Sequence, residues 1–569
     1  LGDQTTSSFA QPYSLSWAKG SGGARSWGLV ASHTELDQLV YGNTSAELPK
    51  NPVEYYLNPI GLQPLILSAA EFGNSTVLNT DRLTGFSANV ILQPSNGSSQ
   101  SITFPIVQGM GFVTGVYSGL QPFIQSSILF RNVVQAGSPR PGTYKFQITL
   151  EDSKSWLMYV TPDDGLQPTF NFTTSATTLS GPAGFAGVIQ IAKNPAGSGG
   201  EAVYDQSAGV YATTANISGS VTDATGTYKL SWEKAGRNAS SAPLLMFAFP
   251  HHIQSFDDTT KQGLQAVQLR ATTKGNTTAV LGDSWTMVEH NLPMDMDFAP
   301  WSPALGSVST LSTENIQTIL DAAKTELTAD VDGQSNVNSM YYGGKVLSKF
   351  ATLVYTVNTL ANDPQSAVET LNGLKTAFAR FVNNEQQFPL VYDNVWKGVV
   401  SSAAWATNDL NQDFGNSGYN DHHFHYGYFI HAAAIIGALD PSWIEPNKAW
   451  VNMLVRDAGN PATDDPFFPF SRAFDWFHGH SWAKGLFVSG DGKDEESTSE
   501  DAMFAYAVKM WGKTSGDKSM EARGNLMLAV LRRTLSNYFL MEDDNLNQPS
   551  NFVNNRVTGI VSLVNYLVD

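Results

Sequence analysis

The hydrophobic period of this chain changes once, near residue 312, and that change limits what the chain can fold into. Before it, Tyr144, Phe146, Ile148 and Leu150 alternate with Lys145, Gln147 and Thr149, the period of two of a half-buried strand. Tyr228, Leu230 and Trp232 repeat the pattern against Lys229, Ser231 and Glu233. Turn-forming clusters such as Pro94-Ser95-Asn96-Gly97 and Ser138-Pro139-Arg140-Pro141-Gly142 separate such runs, and together they predict a large β-sandwich over residues 1–250. Strand character continues in Val267–Arg270 and Thr278–Leu281, which flank a Lys274-Gly275-Asn276 turn. A proline-rich stretch over Pro293–Pro303 then closes a small α/β linker domain, residues 251–311. After residue 312 the apolar positions follow helical spacing: Ile316, Ile319, Leu320, Ala323 and Leu327; Val346, Phe350, Leu353, Val354 and Val357; Val368, Leu371, Leu374, Phe378 and Phe381. Asn362-Asp363-Pro364 joins the last two as an αα-hairpin, and Phe424–Leu439 is apolar nearly all round, as a helix surrounded by helices is. The prediction is a multidomain β + α chain with an all-α domain over residues 312–569.

A chain of 569 residues exceeds one core, which agrees with several domains. The net charge of −18 argues against nucleic acid and anionic membranes as partners, since both need basic patches, whereas a neutral polymer tolerates an acidic surface. The absence of cysteine removes disulfides and thiolate metal sites. Seven N-x-S/T sequons, at Asn43, Asn74, Asn96, Asn171, Asn216, Asn238 and Asn276, favour a secreted, extracellular or cell-wall glycoprotein. No signal peptide opens the chain, and Leu1 reads like the middle of a segment, so the start is expected to be clipped or processed.

Two segments hold most of the residues that could do chemistry: Asp413–Tyr428, and Phe474–Trp482 followed by Asp491–Asp501. Aromatics crowd around them, including Trp396, Trp405, Tyr419, Tyr426, Trp476 and Trp482, and such side chains stack on the flat C–H faces of sugars. Candidate sugar-binding residues are Tyr419, His422, His425, Tyr426, Asp475, His478, His480, Trp482 and Trp396. His422, His423 and His425 beside Asp421 invite a metal reading. No His-Glu-x-x-His pattern supports it, and hydrogen bonding to sugar or burial as satisfied core histidines explains them better, so no metal is expected. Three carboxylates stand out. Asp421 opens a helix and has a plain alternative role as its cap. Glu500 completes a Ser497-Thr498-Ser499-Glu500 capping box, and Glu496, just before that box, has no such structural role.

At these residues the chain resembles glycoside hydrolase family 81, the endo-β-1,3-glucanases. Tyr419–Tyr428 and Glu496–Asp501 resemble long signatures of that family, as do Asp475–Gly485 and Asn537–Asp544, with Pro12–Trp17 and Trp27–Leu29 matching in kind. The resemblance implies a β-sandwich, a small α/β domain and an (α/α)6 barrel with an open cleft. It implies inverting cleavage of internal β-1,3 bonds in laminarin-like glucans, with neither metal nor organic cofactor. It maps the general acid onto Asp421 and the general base onto Glu496 or Glu500, with Glu496 favoured. The partner would be the glucan alone, acting on a monomer. The tail Val561–Asp569 leaves the family pattern, and seven or eight helical patterns fall short of the twelve in a closed ring. An incomplete barrel with an exposed apolar flank on its last helices is therefore expected. The alternatives are an inverting phosphorylase or lyase of the same architecture, and a non-catalytic β-glucan-binding protein.

Overall fold

The structure, a computed structural model, describes residues 7–41, 53–57, 62–165, 170–195, 197–487 and 493–558. The described residues form two compact units: those of Leu1–Gly219 with Tyr228–Val288 and Ser536–Thr558, and those of Ser220–Thr227 with Glu289–Leu535.

The first unit is built on two large antiparallel sheets. One has seven strands, with Tyr13–Trp17, Leu29–His33, Leu65–Ala69 and Pro122–Gln125 adjacent in that order. The other has eight, running through Tyr144–Leu150, Ser155–Pro162, Phe185–Lys193 and Val113–Leu120. Alternate residues of both sheets enter one hydrophobic cluster, with Leu65 and Leu67 from the first and Ile148, Phe104 and Ile189 from the second. The alternation read at Tyr144–Leu150 is present, with one exception. Lys145, expected on the solvent side, is buried because its ammonium pairs with Glu201 at 2.5 Å and Asp205 at 3.0 Å. The Gly275 turn is also as expected: Arg270 pairs with Asn276, and Gly275 takes a φ of +72°. Among the described sequons, Asn74, Asn96, Asn171, Asn216 and Asn276 are exposed, and Asn238 is half-buried with its Nδ2 enclosed and unbonded. Asn43 lies outside the described residues.

The second unit is helical. Seven helices of 14 residues or more occur among the described residues: α1 (Thr313–Glu326), α2 (Met340–Tyr355), α3 (Pro364–Val382), α4 (His422–Leu439), α5 (Ile444–Gly459), α6 (Thr498–Ser515) and α7 (Lys518–Tyr538). Asp363 caps α3 by accepting from the Ser366 N–H at 3.1 Å, with Pro364 in the first turn, which explains the sharp joint between α2 and α3. α4 is buried on all sides and packs against α2, α5 and α6. Adjacent glycines let α2 come close: a Cβ on Gly344 would stand 2.9 Å from the Phe429 ring of α4. The exposed apolar flank expected on the last helices is not found. Leu526, Met527, Val530 and Leu531 of α7 are buried, and no large hydrophobic of α6 or α7 is exposed, so the apolar stripes of these helices are covered. Among the described residues no helix is long and apolar enough to cross a membrane.

Candidate active site

The second unit's unusual chemistry begins with an unusual backbone. Asp413, Phe414 and Gly415 take φ values of 50°, 54° and 79° in succession, and Tyr419 and Asp421 follow at 64° and 54°. Left-handed conformations at non-glycine residues are costly and persist where surrounding contacts hold them. Those contacts are present. The buried Asp413 carboxylate accepts from Ser339 Oγ at 2.5 Å and from the amides of Met340 and Tyr341 at 2.8 and 3.4 Å, which ties the turn to the start of α2. Asn416 Oδ1 accepts from the Ser401 amide at 2.6 Å. The irregular segment 483–486 then runs against Gly418–Asp421. Asp421 donates its N–H to Ala483 O at 2.9 Å, Leu486 donates to Gly418 O at 2.8 Å, and a Cβ on Gly485 would collide with Gly418 O.

Asp421 occupies the cap position of α4, yet its side chain makes no cap hydrogen bond. Among the described residues, only Asn420 Nδ2 approaches its Oδ2, at 3.3 Å, and its Oδ1 is buried without a hydrogen-bond partner. Burial, reinforced by the negative charges of Glu496, Asp494 and Glu500 and opposed by Lys484, pushes its carboxyl up to about 8. Glu496 is half-buried and is also pushed upward, first by burial and then by Asp494 and Glu500 against the opposing pull of Lys484. Glu500 differs. The capping box is not formed: Ser497 makes no side-chain cap, and Glu500 Oε1 accepts from Tyr341 Oη at 2.8 Å and Tyr428 Oη at 2.6 Å, with Lys345 Nζ at 4.0 Å. Burial and then this hydrogen bond hold both phenols well above their ordinary range. The three carboxylates thus share one electrostatic neighbourhood, and neither cap role available to them in sequence is used.

The other expected site residues divide by exposure. Trp396 is half-exposed, and Asp475 and Trp482 are partly exposed and joined by a Trp482 Nε1 to Asp475 Oδ2 hydrogen bond of 2.9 Å. Asp475 Oδ1 also accepts from the His478 amide at 3.0 Å, and the His478 ring is buried against Trp482 at 5.0 Å. Tyr419, His422, His425, Tyr426 and His480 are buried, so their side chains hold the site together from within. Tyr419 Oη donates to Asp393 at 2.9 Å beneath the Arg472 guanidinium. His422 bridges Asp457 at 2.5 Å and Asn416 O at 2.8 Å, Tyr426 Oη donates to Val399 O, and His480 Nδ1 meets Ser481 O at 2.8 Å. Burial holds His423, at about 3, and His425 below the ordinary imidazole range, so both stay neutral. Among the described residues no three His, Asp or Glu side chains converge as metal ligands would. Asp491 lies outside the described residues.

Sequence reasoning missed Tyr341, Lys345 and Lys484. Lys484 falls inside the Asp475–Gly485 motif, whereas Tyr341 lies far upstream of both glutamates, and its only signal is the Gly343-Gly344 pair that marks a close helix approach.

Residues 1–303 match the glycosyl hydrolase family 81 N-terminal domain, and residues 310–565 match the glycosyl hydrolase family 81 C-terminal domain. The chain belongs to glycosyl hydrolase family 81. A glucan endo-1,3-beta-D-glucosidase of Arthroderma benhamiae is 59% identical over 99% of this chain and 61% of its own length. The primary septum glucan endo-1,3-beta-D-glucosidase of Schizosaccharomyces pombe is 41% identical over 98% of this chain and 53% of its own. Glucan endo-1,3-beta-D-glucosidase 2 of Saccharomyces cerevisiae is 37% identical over 99% and 71%. The chain therefore spans only about six-tenths of the length of the first of these relatives and about half of the second. A solved family 81 glycoside hydrolase from Clostridium thermocellum shares the mixed β and helical multidomain fold, with a TM-score of 0.69 at 19% identity over 96% of this chain and 69% of that one.

Proposed function

We propose that this family 81 chain hydrolyses internal β-1,3-glucosidic bonds of laminarin-like glucans with inversion, Asp421 acting as general acid and Glu496 as general base. The observation that carries the reading is the Asp421 carboxyl, buried, uncapped and held at about 8 among like charges. A carboxyl in that state is protonated at neutral pH and can donate to a glycosidic oxygen as the bond breaks. Glu496, its carboxyl pushed upward by burial and by Asp494 and Glu500, takes the proton of the attacking water. Glu500, held in place by two tyrosines, orients this water, and its charge adds to those that raise Asp421. An inverting pair leaves room for the water, its carboxyls standing roughly 6.5–9.5 Å apart. Trp396 and the Trp482–Asp475 pair offer sugar-binding surfaces, while Tyr419, His422, His425, Tyr426, His478 and His480 form the frame behind them. The names borne by the three fungal and yeast relatives point to the same substrate.

The two large sheets form the β-sandwich domain of residues 1–250, residues 251–311 the linking α/β domain, and the helices of residues 312–569 part of an (α/α)6-type barrel. The five exposed sequons support a secreted or wall-associated glycoprotein. The enzyme works as a monomer on the polysaccharide, without cofactor, nucleic acid or membrane.

The test is incubation of the purified chain with laminarin and with a β-1,4-glucan. A ladder of shorter β-1,3 products of inverted anomeric configuration from laminarin alone is expected; tight binding with no product, or release that requires phosphate, overturns the reading. Replacing each glutamate with Gln and adding azide separates the two: inverted glycosyl azide should form with Glu496→Gln and not with Glu500→Gln.

A further inference from the structure

Beside the carboxylates lies a surface that the proposed chemistry does not use. Phe414 holds a φ of 54°, a left-handed conformation that disfavours an ordinary residue, and its ring remains 47% exposed. Burial would offset such a cost for an aromatic residue, and here burial is lacking. Tyr342, in the first turn of α2, is 53% exposed. Phe414, Tyr342 and Tyr341 form a triangle of edge-to-face rings with centroids 5.3 to 5.5 Å apart. Both corners are fixed from below. Asp413 binds the amides of Met340 and Tyr341, and Ser339 Oγ accepts from the Tyr342 amide at 3.1 Å. The third ring, Tyr341, carries the hydroxyl that grips Glu500.

We propose that Phe414 and Tyr342 form an aromatic platform on which a glucosyl ring of the bound glucan stacks, a sugar subsite continuous with Glu500 through Tyr341. The occupant follows from the chemistry. The exposed rings are uncharged, and the phenol of Tyr342 adds a hydroxyl able to bond a sugar oxygen. Their rigid link to Glu500 fixes a ring bound there relative to the reacting bond, which is what a positioning subsite requires. The inference rests on the hydrolase reading above and adds to it where the chain of sugars runs.

The test uses the Asp421→Asn protein, in which substrate survives, titrated with laminarihexaose by calorimetry. Phe414→Asn removes the ring and keeps a residue that tolerates the left-handed backbone, and Tyr342→Ala removes the second ring from an exposed helical position. Each should weaken binding about two- to tenfold, the range of single aromatic contacts. Should Phe414→Asn fail to fold, Tyr342→Ala decides alone. Parental affinity in the folded variants overturns the platform. An Asp421→Asn parent that binds no laminari-oligosaccharide overturns the hydrolase reading, and the platform with it.

Discussion

A carboxylate withdrawn from water meets opposite fates in the two units. In the β-unit, Glu35 is pushed upward by burial, but hydrogen bonds from His33 and Lys193 and the Lys193 charge outweigh that and bring it to about 2. The cost of burial falls on its partners, since both Lys193 and His33 are pushed down by it. In the helical unit burial and three nearby carboxylates outweigh the pull of Lys484 on Asp421, and it stands at about 8. Burial alone therefore says little about purpose. The neighbours decide whether a buried acid is a strut or a proton donor.

Exchanging each acid for its amide tests this contrast most severely. Asp421→Asn should lower laminarin hydrolysis by about 10²–10⁴-fold, measured as reducing-sugar release, because the amide has no proton to give. Glu35→Gln should leave the turnover of folded protein intact and cost about 2 kcal/mol in urea unfolding, because it breaks a charge-assisted pair. Loss of activity in Glu35→Gln with full stability would erase the distinction.

The pH dependence sharpens it. Activity of the wild-type chain should fall as pH rises through about 8, where Asp421 loses its proton, and fall again in acid as Glu496 is protonated. Stability carries the same signature. The folded value of Asp421 lies above its unfolded one, so its contribution is fully present below about pH 4 and is lost as pH rises toward 8. Asp421→Asn should accordingly raise Tm more at pH 8 than at pH 4. Glu35 works in the other direction, its contribution present above about pH 4.5 and lost as pH falls toward 2. Melting curves across pH 3–9 check both signs.

A smaller effect comes from the grip on Glu500. Tyr341→Phe removes one of two hydrogen bonds and should reduce kcat about three- to tenfold, consistent with a hydrogen bond worth about 1 kcal/mol. An unchanged kcat would make Glu500 a bystander.

The change of period near residue 312 separates the long strands from the long helices, because side-chain alternation and helical spacing are local signals. Lys145 went astray because a strand pattern cannot foresee Glu201 and Asp205 half a hundred residues on. The candidate carboxylates stand out in two short segments of the sequence, Asp421 in one and Glu496 and Glu500 in the other. Their surroundings do not. The sequence at Ser497–Glu500 offers a capping box, and the structure turns Glu500 instead toward two phenols on other helices. Likewise the five left-handed residues of 413–421 are held by partners in distant segments, Ser339 and Ala483 among them, which no local propensity encodes.

The first amides of α2 have no preceding helical turn to bond to, and Asp413 takes that place for Met340 and Tyr341. Fraying of that one turn frees Tyr341 and with it the clamp on Glu500, while the cores of both units stay intact. Heat inactivation is thus expected to begin with this local opening, and protection of these two amides against hydrogen exchange should track residual activity more closely than the melting of the whole protein does.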